Sequence, residues 1–250
     1  MQIRFALVAA LLAFGGAVSA QDATKVYTLD SCPVSGDKLG DDAVVKEISG
    51  REVRFCGEEC AKDFAESAAD WFEEIDARMA AAQRRYYTLK TCPVSGEPLD
   101  ADSAEEAMIG NRLVLLCCGK CKGGVAAKQA DILKKLDAAA VEAQAKAYPL
   151  KTCPVSGGEL GKMGEPYQTV LAGRVVKLCC KDCLPKLLKN PGKFLATIDA
   201  AWKKAGFPGA MKGDDDDHDV MGDDDDMGDH DMGDDDDDDD RGGDDDRDDD

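Results

Sequence analysis

One sequence block occurs three times in this chain. The segment YTLDSCPVSG begins at Tyr27, and it recurs as YTLKTCPVSG from Tyr87 and as YPLKTCPVSG from Tyr148. The first cysteines of the blocks lie at positions 32, 92 and 153, so the period is 60 and then 61 residues. A fixed period of this kind is typical of a tandem array of one small unit. We place the copies at 25–84, 85–145 and 146–206.

A second cysteine group follows the first in every copy. It reads C-x3-C, and copies 2 and 3 carry one more cysteine directly after its first residue. All eleven cysteines of the chain belong to these groups. The candidate metal ligands are therefore Cys32, Cys56 and Cys60; Cys92, Cys117, Cys118 and Cys121; and Cys153, Cys179, Cys180 and Cys183.

Between the two cysteine groups, each copy has the pattern of a β-hairpin. In copy 1 the strands are predicted at 44–48 and 52–55, joined at Ser49-Gly50. The turns of the other copies are Gly110-Asn111 and Ala172-Gly173, before predicted strands at 112–116 and 174–178. Gly and Asn tolerate the left-handed conformations that tight hairpins need. The second strand thus leads directly into the second cysteine group.

A helix is predicted after that group. Apolar residues recur at offsets +4, +7, +8, +11 and +15 from the last cysteine of each copy, which is the spacing of one helix face. In copy 3, Asn190-Pro191 is expected to end one short helix and to cap the next. Ser67 aligns with Asn190 and could cap in the same way, but Lys128 could not, so we expect the break to be absent in copy 2.

The two ends of the chain differ in character from the copies. Residues 1–20, with Arg4 before an apolar run, have the pattern of a secretory signal peptide, and the run is shorter than the roughly 20 apolar residues of a membrane span. Residues 207–250 are predicted to be a disordered tail, since the part from 214 onward holds 24 Asp and two Arg. The net charge of −20 therefore belongs to the tail. We expect an exported, periplasmic or secreted protein without a membrane span.

Folding units as small as these copies, of about 60 residues, commonly need a cross-link for stability, which can be a metal ion or disulfides. Eleven cysteines cannot all pair, and copy 1 has three, so an all-disulfide arrangement leaves a thiol over or links the copies. A cysteine at a strand end followed by one at a helix start favours metal, and the helix N-terminus is expected to lower the thiol pKa there. Disulfides remain the alternative because exported proteins form them readily.

These residues resemble a known family. The CPVSG segment, the hairpin with Arg after its turn, the C-x3-C group and the following helix are similar to TRASH and YHS modules, which are treble-clef-like fingers associated with heavy-metal trafficking, resistance and sensing. The resemblance implies a small α+β fold of three tandem treble-clef-like, zinc-finger-type repeats. It also implies metal ligation by the first cysteine and the C-x3-C pair of each copy.

The fourth ligand is open at the level of sequence. Ser35, Ser95 and Ser156 stand where CPxCG knuckles have a second cysteine, and serine is a poor ligand for zinc or copper. In copy 1 the candidates are Glu58, Glu59 or a water, whereas Cys118 and Cys180 could complete the other sites or be spare buried thiols. Four thiolates suit zinc and two or three suit copper(I), so the pattern predicts a thiophilic metal without choosing between them.

Two further repeated residues have a structural interpretation. An Arg follows each hairpin turn, at 51, 112 and 174, and we expect it to be a solvated strand residue rather than a ligand for a partner's carboxylate. The tyrosine at 27, 87 and 148 is expected to pack against the helix.

The sequence favours binding over catalysis. His218 and His230 are the only histidines and both lie in the tail, so the copies have no histidine for catalysis. Thiol–disulfide exchange at the two C-x2-C groups would need a βαβ pattern that is missing. No basic stripe suggests nucleic acid. We therefore expect an exported metal-binding protein for sequestration, delivery or sensing, with a metal-handling protein as a possible partner and calcium as a possible ion at the tail. The alternative is an interaction protein in which zinc or disulfides serve only to hold each repeat together, and in which the acidic tail binds calcium or partners.

Overall fold

A computed structural model describes residues 23–100 and 102–207 of the chain. The predicted signal peptide lies outside the described residues, and so does the predicted tail except for Phe207. The described part is a mixture of short strands and helices arranged three times over, and the three copies belong to one compact unit.

Each copy contains one antiparallel hairpin. Strands β1 Val44–Ile48 and β2 Arg51–Phe55 form the first, β3 Glu105–Ile109 and β4 Arg112–Leu116 the second, and β5 Tyr167–Leu171 and β6 Arg174–Leu178 the third. The predicted hairpins are confirmed, with two-residue turns in every copy.

The turns are of two kinds. Ser49 and Gly50 both have positive φ, as do Ala172 and Gly173, which is the requirement of a type I′ turn. Gly110 has a φ of 60° while Asn111 is not among the positive-φ residues, which is the pattern of a type II′ turn. The second turn position of copy 2 therefore carries a side chain, that of Asn111, where copies 1 and 3 have Gly50 and Gly173.

The helices follow the second cysteine group. They are α1 Glu58–Glu66 and α2 Ala68–Arg84 in copy 1, α3 Lys122–Val125 and α4 Gln129–Gln144 in copy 2, and α5 Leu184–Lys189 and α6 Pro191–Ala205 in copy 3. In copy 3 the predicted cap is confirmed, because Asn190 Oδ1 accepts a hydrogen bond from Lys193 N at 3.4 Å and Pro191 opens α6.

The expectation of an unbroken helix in copy 2 is wrong. A 3₁₀ turn at Ala126–Lys128 separates α3 from α4, and Lys128 leaves the helical region with φ −121° and ψ 17°. Ser67 occupies the same place in copy 1 without a side-chain cap hydrogen bond. The break therefore does not depend on a capping side chain, and it occurs in all three copies.

The predicted helix face forms the core of each copy. Of the fifteen predicted apolar residues, twelve are buried, and the partly buried ones are the aromatic residues Trp71, Phe72 and Phe194. Tyr27 and Tyr87 are buried as expected, while Tyr148 is half-buried. Each core also contains the first cysteine of its copy, at positions 32, 92 and 153.

Neighbouring copies are joined by a glutamine in the last turn of a helix. Gln83 Nε2 donates to Asn111 O at 2.8 Å, and its Oε1 accepts from Leu113 N at 3.1 Å. In the next copy, Gln144 does the same with Gly173 O at 2.7 Å and Val175 N at 2.8 Å. Both glutamines are buried, and each holds its helix against the hairpin of the next copy through two hydrogen bonds to the backbone. We call this contact the glutamine clamp.

Copy 3 also contacts copy 1. The Arg54 guanidinium donates to Leu188 O at 2.6 Å and to Lys189 O, at the end of α5. A Cβ on Gly192 would lie 2.8 Å from Leu29 O, so α6 approaches the backbone of copy 1 too closely for a side chain there. The three copies are therefore in mutual contact rather than strung out along the chain.

The expectation that the arginine after each turn is solvated is wrong. Arg112 and Arg174 are buried, and the Arg51 side chain is only 13% exposed. Each pairs with an aspartate 25 residues further on, in the long helix of its own copy: Asp76, Asp137 and Asp199. A buried guanidinium needs such a partner, so these pairs tie each hairpin to its helix.

Within the described residues, no helix combines the length and the apolar character needed to cross a membrane.

Candidate metal centre

The first cysteine of each copy lies in a tight loop. Cys32 N donates to Asp37 O at 2.7 Å, and Gly36 N donates back to Cys32 O at 3.0 Å. Gly36 has a φ of 80°, a conformation that favours glycine, and the matching Gly96 and Gly157 have 84° and 72°. The CPVSG segment thus folds the same way three times, and we call it the knuckle loop.

The hairpin and the helix start bring the other two cysteines to this loop. Three triads result, each with its sulfur atoms within 4.8 Å of one another: Cys32, Cys56 and Cys60; Cys92, Cys117 and Cys121; Cys153, Cys179 and Cys183. The two C-x3-C sulfurs are 3.6 Å apart in copy 1 and 3.7 Å apart in copies 2 and 3. Tetrahedral zinc with bonds of about 2.3 Å places its sulfurs about 3.8 Å apart. The triads could therefore hold a thiophilic metal ion.

The extra cysteines lie beside the triads. Cys118 Sγ is 3.9 Å from both Cys117 Sγ and Cys121 Sγ, and Cys180 Sγ is 3.8 Å from Cys179 Sγ and 4.0 Å from Cys183 Sγ. Neither belongs to the set that lies within 4.8 Å of all three triad sulfurs. Each is thus next to two ligand candidates, on the side away from the knuckle loop.

All eleven cysteines are unpaired thiols. The sulfur pairs given above are 3.6 to 4.0 Å apart, well beyond the about 2.05 Å of a disulfide bond.

The knuckle-loop serine contacts sulfur rather than taking the place of a ligand. Ser35 Oγ lies 3.2 Å from Cys56 Sγ, and Ser95 and Ser156 lie 3.3 Å from Cys117 and Cys179. Each hydroxyl also accepts a backbone N–H from two residues ahead. A hydroxyl that donates to a thiolate stabilises its negative charge, so the serine is placed to stabilise the ionised form of this cysteine.

The knuckle cysteine has a lowered thiol pKa in all three copies. Burial acts to raise the pKa of Cys32, but hydrogen bonds from the Ser35 and Cys56 backbone and from the Ser35 hydroxyl outweigh it and lower the pKa to about 7. The same opposition, with burial the largest influence and the serine hydroxyl next, lowers the pKa of Cys92 to about 6 and that of Cys153 to about 7.

The cysteine at the helix start behaves in the opposite way. Hydrogen bonding to Cys56 and then burial raise the pKa of Cys60 to about 11, while burial first and neighbouring sulfurs second raise the pKa of Cys121 and Cys183 to about 12. The prediction that the helix N-terminus lowers the thiol pKa at this place is wrong. Burial and the neighbouring sulfurs together outweigh the helix, and a bound cation would reverse the shift by favouring the thiolate form.

The carboxylates that were candidates for the fourth position in copy 1 are not part of its cluster. Glu58 is engaged with Lys46, at 3.0 Å between Lys46 Nζ and Glu58 Oε2. Neither Glu58 nor Glu59 belongs to the described groups whose ligand atoms lie within 4.8 Å of one another.

Sequence reasoning missed the residues that support the site. The buried Arg–Asp pairs and the clamping glutamines carry no metal chemistry, but they fix the hairpin and the helix that deliver the C-x3-C group. A signal was present, because the 25-residue spacing between Arg and Asp recurs in all three copies and Gln83 recurs as Gln144. Pairs so far apart in sequence are found by comparing copies, not by local periodicity.

Fold and clusters together define a small α+β chain with three cysteine sites compatible with metal binding. The chain matches no family model, no curated protein and no solved structure. Function is therefore argued from the site itself.

Proposed function

We propose that this protein is exported and binds a thiophilic metal ion, zinc or copper(I), at its three cysteine triads, for sequestration, delivery or sensing. The observation that carries the proposal is the triad itself, built three times with the C-x3-C sulfurs 3.6 to 3.7 Å apart. This spacing recurs in every copy, and it is close to the sulfur–sulfur distance of about 3.8 Å in a tetrahedral zinc site.

The proposal includes membership of the TRASH/YHS type. The supporting features are the knuckle loop, the hairpin that leads into the C-x3-C group and the helix after it, which together are the parts of a treble-clef-like finger. Serine in place of a second knuckle cysteine is a departure from the four-thiolate finger. Its hydroxyl contact to sulfur gives that departure a physical role.

The location and the tail belong to the proposal as well. Residues 1–20 have the pattern of a signal peptide, which favours the periplasm or the exterior. The aspartates of residues 214–250 are suited to weak binding of calcium or other hard cations. A metal-handling protein is the proposed partner, and the role is one of binding rather than catalysis.

A second function is favoured by the burial of the knuckle cysteines. Cys32, Cys92 and Cys153 are at most 1% exposed and belong to the hydrophobic cores. A metal held there would join loop, hairpin and helix, so zinc could serve only to fold three modules that bind another protein. Disulfides could do the same in an oxidising compartment.

The first experiment is elemental analysis with free-thiol counting on full-length protein purified anaerobically. We expect about three thiophilic ions per chain, and loss of about one ion in the Cys32→Ser variant, which leaves copy 1 with two thiols. The tail is controlled by a variant that ends at residue 207, which should keep its metal. A metal-free protein with one free thiol would be a disulfide scaffold and would end the proposal.

The second experiment separates a carrier from a stapled scaffold. The metal-loaded protein is titrated with a competing chelator while metal transfer and circular dichroism are followed together. A carrier gives up metal before its secondary structure is lost, or refolds when metal is returned. A structural site releases metal only as the fold is lost.

A further inference from the structure

The three centres differ at one position. Cys118 and Cys180 directly follow the first C-x3-C cysteine of copies 2 and 3, whereas copy 1 has Gly57 there. The backbone is nearly identical at the three places: φ and ψ are −165° and 171° at Gly57, −166° and 162° at Cys118, and −157° and 166° at Cys180. A cysteine at position 57 would therefore present its sulfur as Cys118 and Cys180 do.

Neither space nor conformation requires the glycine. A Cβ added to Gly57 would meet no atom within 4 Å, and its φ is that of extended backbone, which any residue adopts. The difference between the copies is therefore one of ligand chemistry, since the fold tolerates a thiol at all three places.

The triad of copy 1 is also more open. Cys60 is half-buried, whereas Cys121 and Cys183 are buried, and Cys56 is exposed where Cys117 and Cys179 are half-buried. An incoming ligand therefore has a shorter path to the sulfurs of copy 1.

Local charge also sets copy 1 apart as the most acidic copy. Residues 25–84 hold eight Lys or Arg and fourteen Asp or Glu, residues 85–145 hold eight of each, and residues 146–206 hold eleven and four. A divalent ion with four thiolates is a dianion, which a basic surrounding stabilises. In copy 1, where acidic residues outnumber basic ones, the surroundings instead attract a cation.

We propose that the centres of copies 2 and 3 close around their metal with four thiolates, with Cys118 and Cys180 as the fourth ligands, while the centre of copy 1 binds with three and leaves one coordination position for an external thiolate. Cys118 Sγ and Cys180 Sγ already lie 3.8 to 4.0 Å from two triad sulfurs, so closure requires each of them to move toward the knuckle cysteine, from which it is more distant. Copy 1 is then the place where metal enters and leaves. This inference rests on the proposed function.

Cobalt(II) substitution of the full-length protein tests the ligand count, because thiolate-to-cobalt charge-transfer absorbance rises with the number of Co–S bonds. With three cobalt ions bound, we expect about eleven Co–S bonds in the unaltered protein, about twelve in Gly57→Cys and about nine in the Cys118→Gly, Cys180→Gly double variant. Gly119→Cys is the matched control, since its added Cβ also meets no atom within 4 Å but belongs to a centre that already has four thiols. It should leave the absorbance unchanged.

An external thiol and a chelator test the open position. Added 2-mercaptoethanol should raise the cobalt–thiolate absorbance of the unaltered protein by about one bond and leave that of Gly57→Cys unchanged. With zinc bound, about one of three ions should pass to a chelator in a fast phase that disappears in Gly57→Cys and grows to about three ions in the double variant.

Three cobalt ions bound with the same absorbance in the unaltered protein, Gly57→Cys and the double variant would overturn the inference. A single rate of zinc transfer from all three centres would do so as well. Both results leave the proposed function standing. Failure of the unaltered protein to bind cobalt at its triads would instead overturn the proposed function, and the inference with it.

Discussion

Copies 1 and 3 have the same strands and helices in the same order, yet they differ in the number of cysteines at the metal centre and in the exposure of the Arg–Asp ion pair. Copy 3 has a fourth cysteine, Cys180, beside its triad and buries Arg174 of its Arg174–Asp199 pair, whereas copy 1 has only its triad and leaves the Arg51–Asp76 pair more exposed. Copy 2 resembles copy 3 in this respect, because it also has an additional cysteine, Cys118, beside its triad. The comparison teaches that one backbone accepts either a glycine or a cysteine next to the triad, because the fold does not constrain this position, so the inferred closed and open centres would differ by a single residue.

The largest expected effect compares the loss of one equivalent cysteine in the two kinds of centre. Cys56→Ser leaves copy 1 with two thiols, while Cys117→Ser leaves copy 2 with Cys92, Cys118 and Cys121. We expect Cys56→Ser to lower the zinc content from about three to about two ions per chain, and Cys117→Ser to keep about three with one bound more weakly. Elemental analysis after dialysis against a mild chelator measures both. Equal loss from both variants would show that Cys118 does not serve as a ligand.

The next effect concerns the buried ion pairs. Arg174 donates to both carboxylate oxygens of Asp199, at 2.7 and 2.9 Å, and its side chain is 5% exposed. Asp199→Ala leaves this charge without its partner, so we expect a loss of about 3 kcal/mol in the free energy of unfolding. Asp76→Ala should cost about 1 kcal/mol, because Arg51 is more exposed and keeps a hydrogen bond to Asn111 Oδ1 at 2.8 Å.

Denaturant unfolding of the zinc-loaded protein measures both variants. If Asp76→Ala cost as much as Asp199→Ala, the more exposed arginine would be no better solvated than the buried one, and this part of the contrast would fail.

How far the sequence predicted this fold depends on the range of the interactions. Hairpins and helix faces follow from local spacing, and β4 and β6 begin and end where expected. The helix break at Lys128 was missed because it comes from the shared backbone path of the copies, not from a cap. The buried arginines were missed because their partners lie 25 residues away. The sulfur clusters themselves were predictable, since three copies of one cysteine pattern must converge in the same way.

A smaller effect is expected at the glutamine clamps. Gln144→Ala removes the side chain that donates to Gly173 O and accepts from Val175 N. These two buried backbone groups are then left without a hydrogen-bond partner, so we expect a loss of about 2 kcal/mol in the free energy of unfolding. The first hairpin has no such clamp, since Glu52 N donates to the backbone oxygen of Lys25 at 3.0 Å.

The control is Gln129→Ala, at the exposed start of the same helix, which should change stability by less than about 0.5 kcal/mol. A loss in Gln129→Ala equal to that in Gln144→Ala would mean that helix propensity, not the clamp, is responsible.

The smallest effect separates the centres by pH. Metal binds thiolates, so a thiol that is protonated in the free protein must release its proton on binding. The pKa of Cys60 is raised to about 11 and those of Cys121 and Cys183 to about 12, so each centre releases at least about one proton per ion between pH 7.5 and 9. Affinity therefore rises with pH there, by about 1.4 kcal/mol per pH unit for each proton.

Below pH 7.5 the knuckle cysteines of the metal-free protein become protonated too, so metal binding must release a second proton. The pKa is about 7 for Cys32 and about 6 for Cys92. As pH falls, the affinities of copies 1 and 3 should begin their steeper decline about one pH unit before that of copy 2, because the pKa of Cys153 is also about 7. Zinc competition from pH 5.5 to 9, with Cys56→Ser to report copy 2 and copy 3 alone, measures the order of release. Proton release is checked by calorimetry in two buffers of different ionisation enthalpy. A zinc affinity independent of pH from 7.5 to 9 would mean that the helix-start thiols are already ionised before metal arrives, and the two kinds of centre would then differ in ligand number alone.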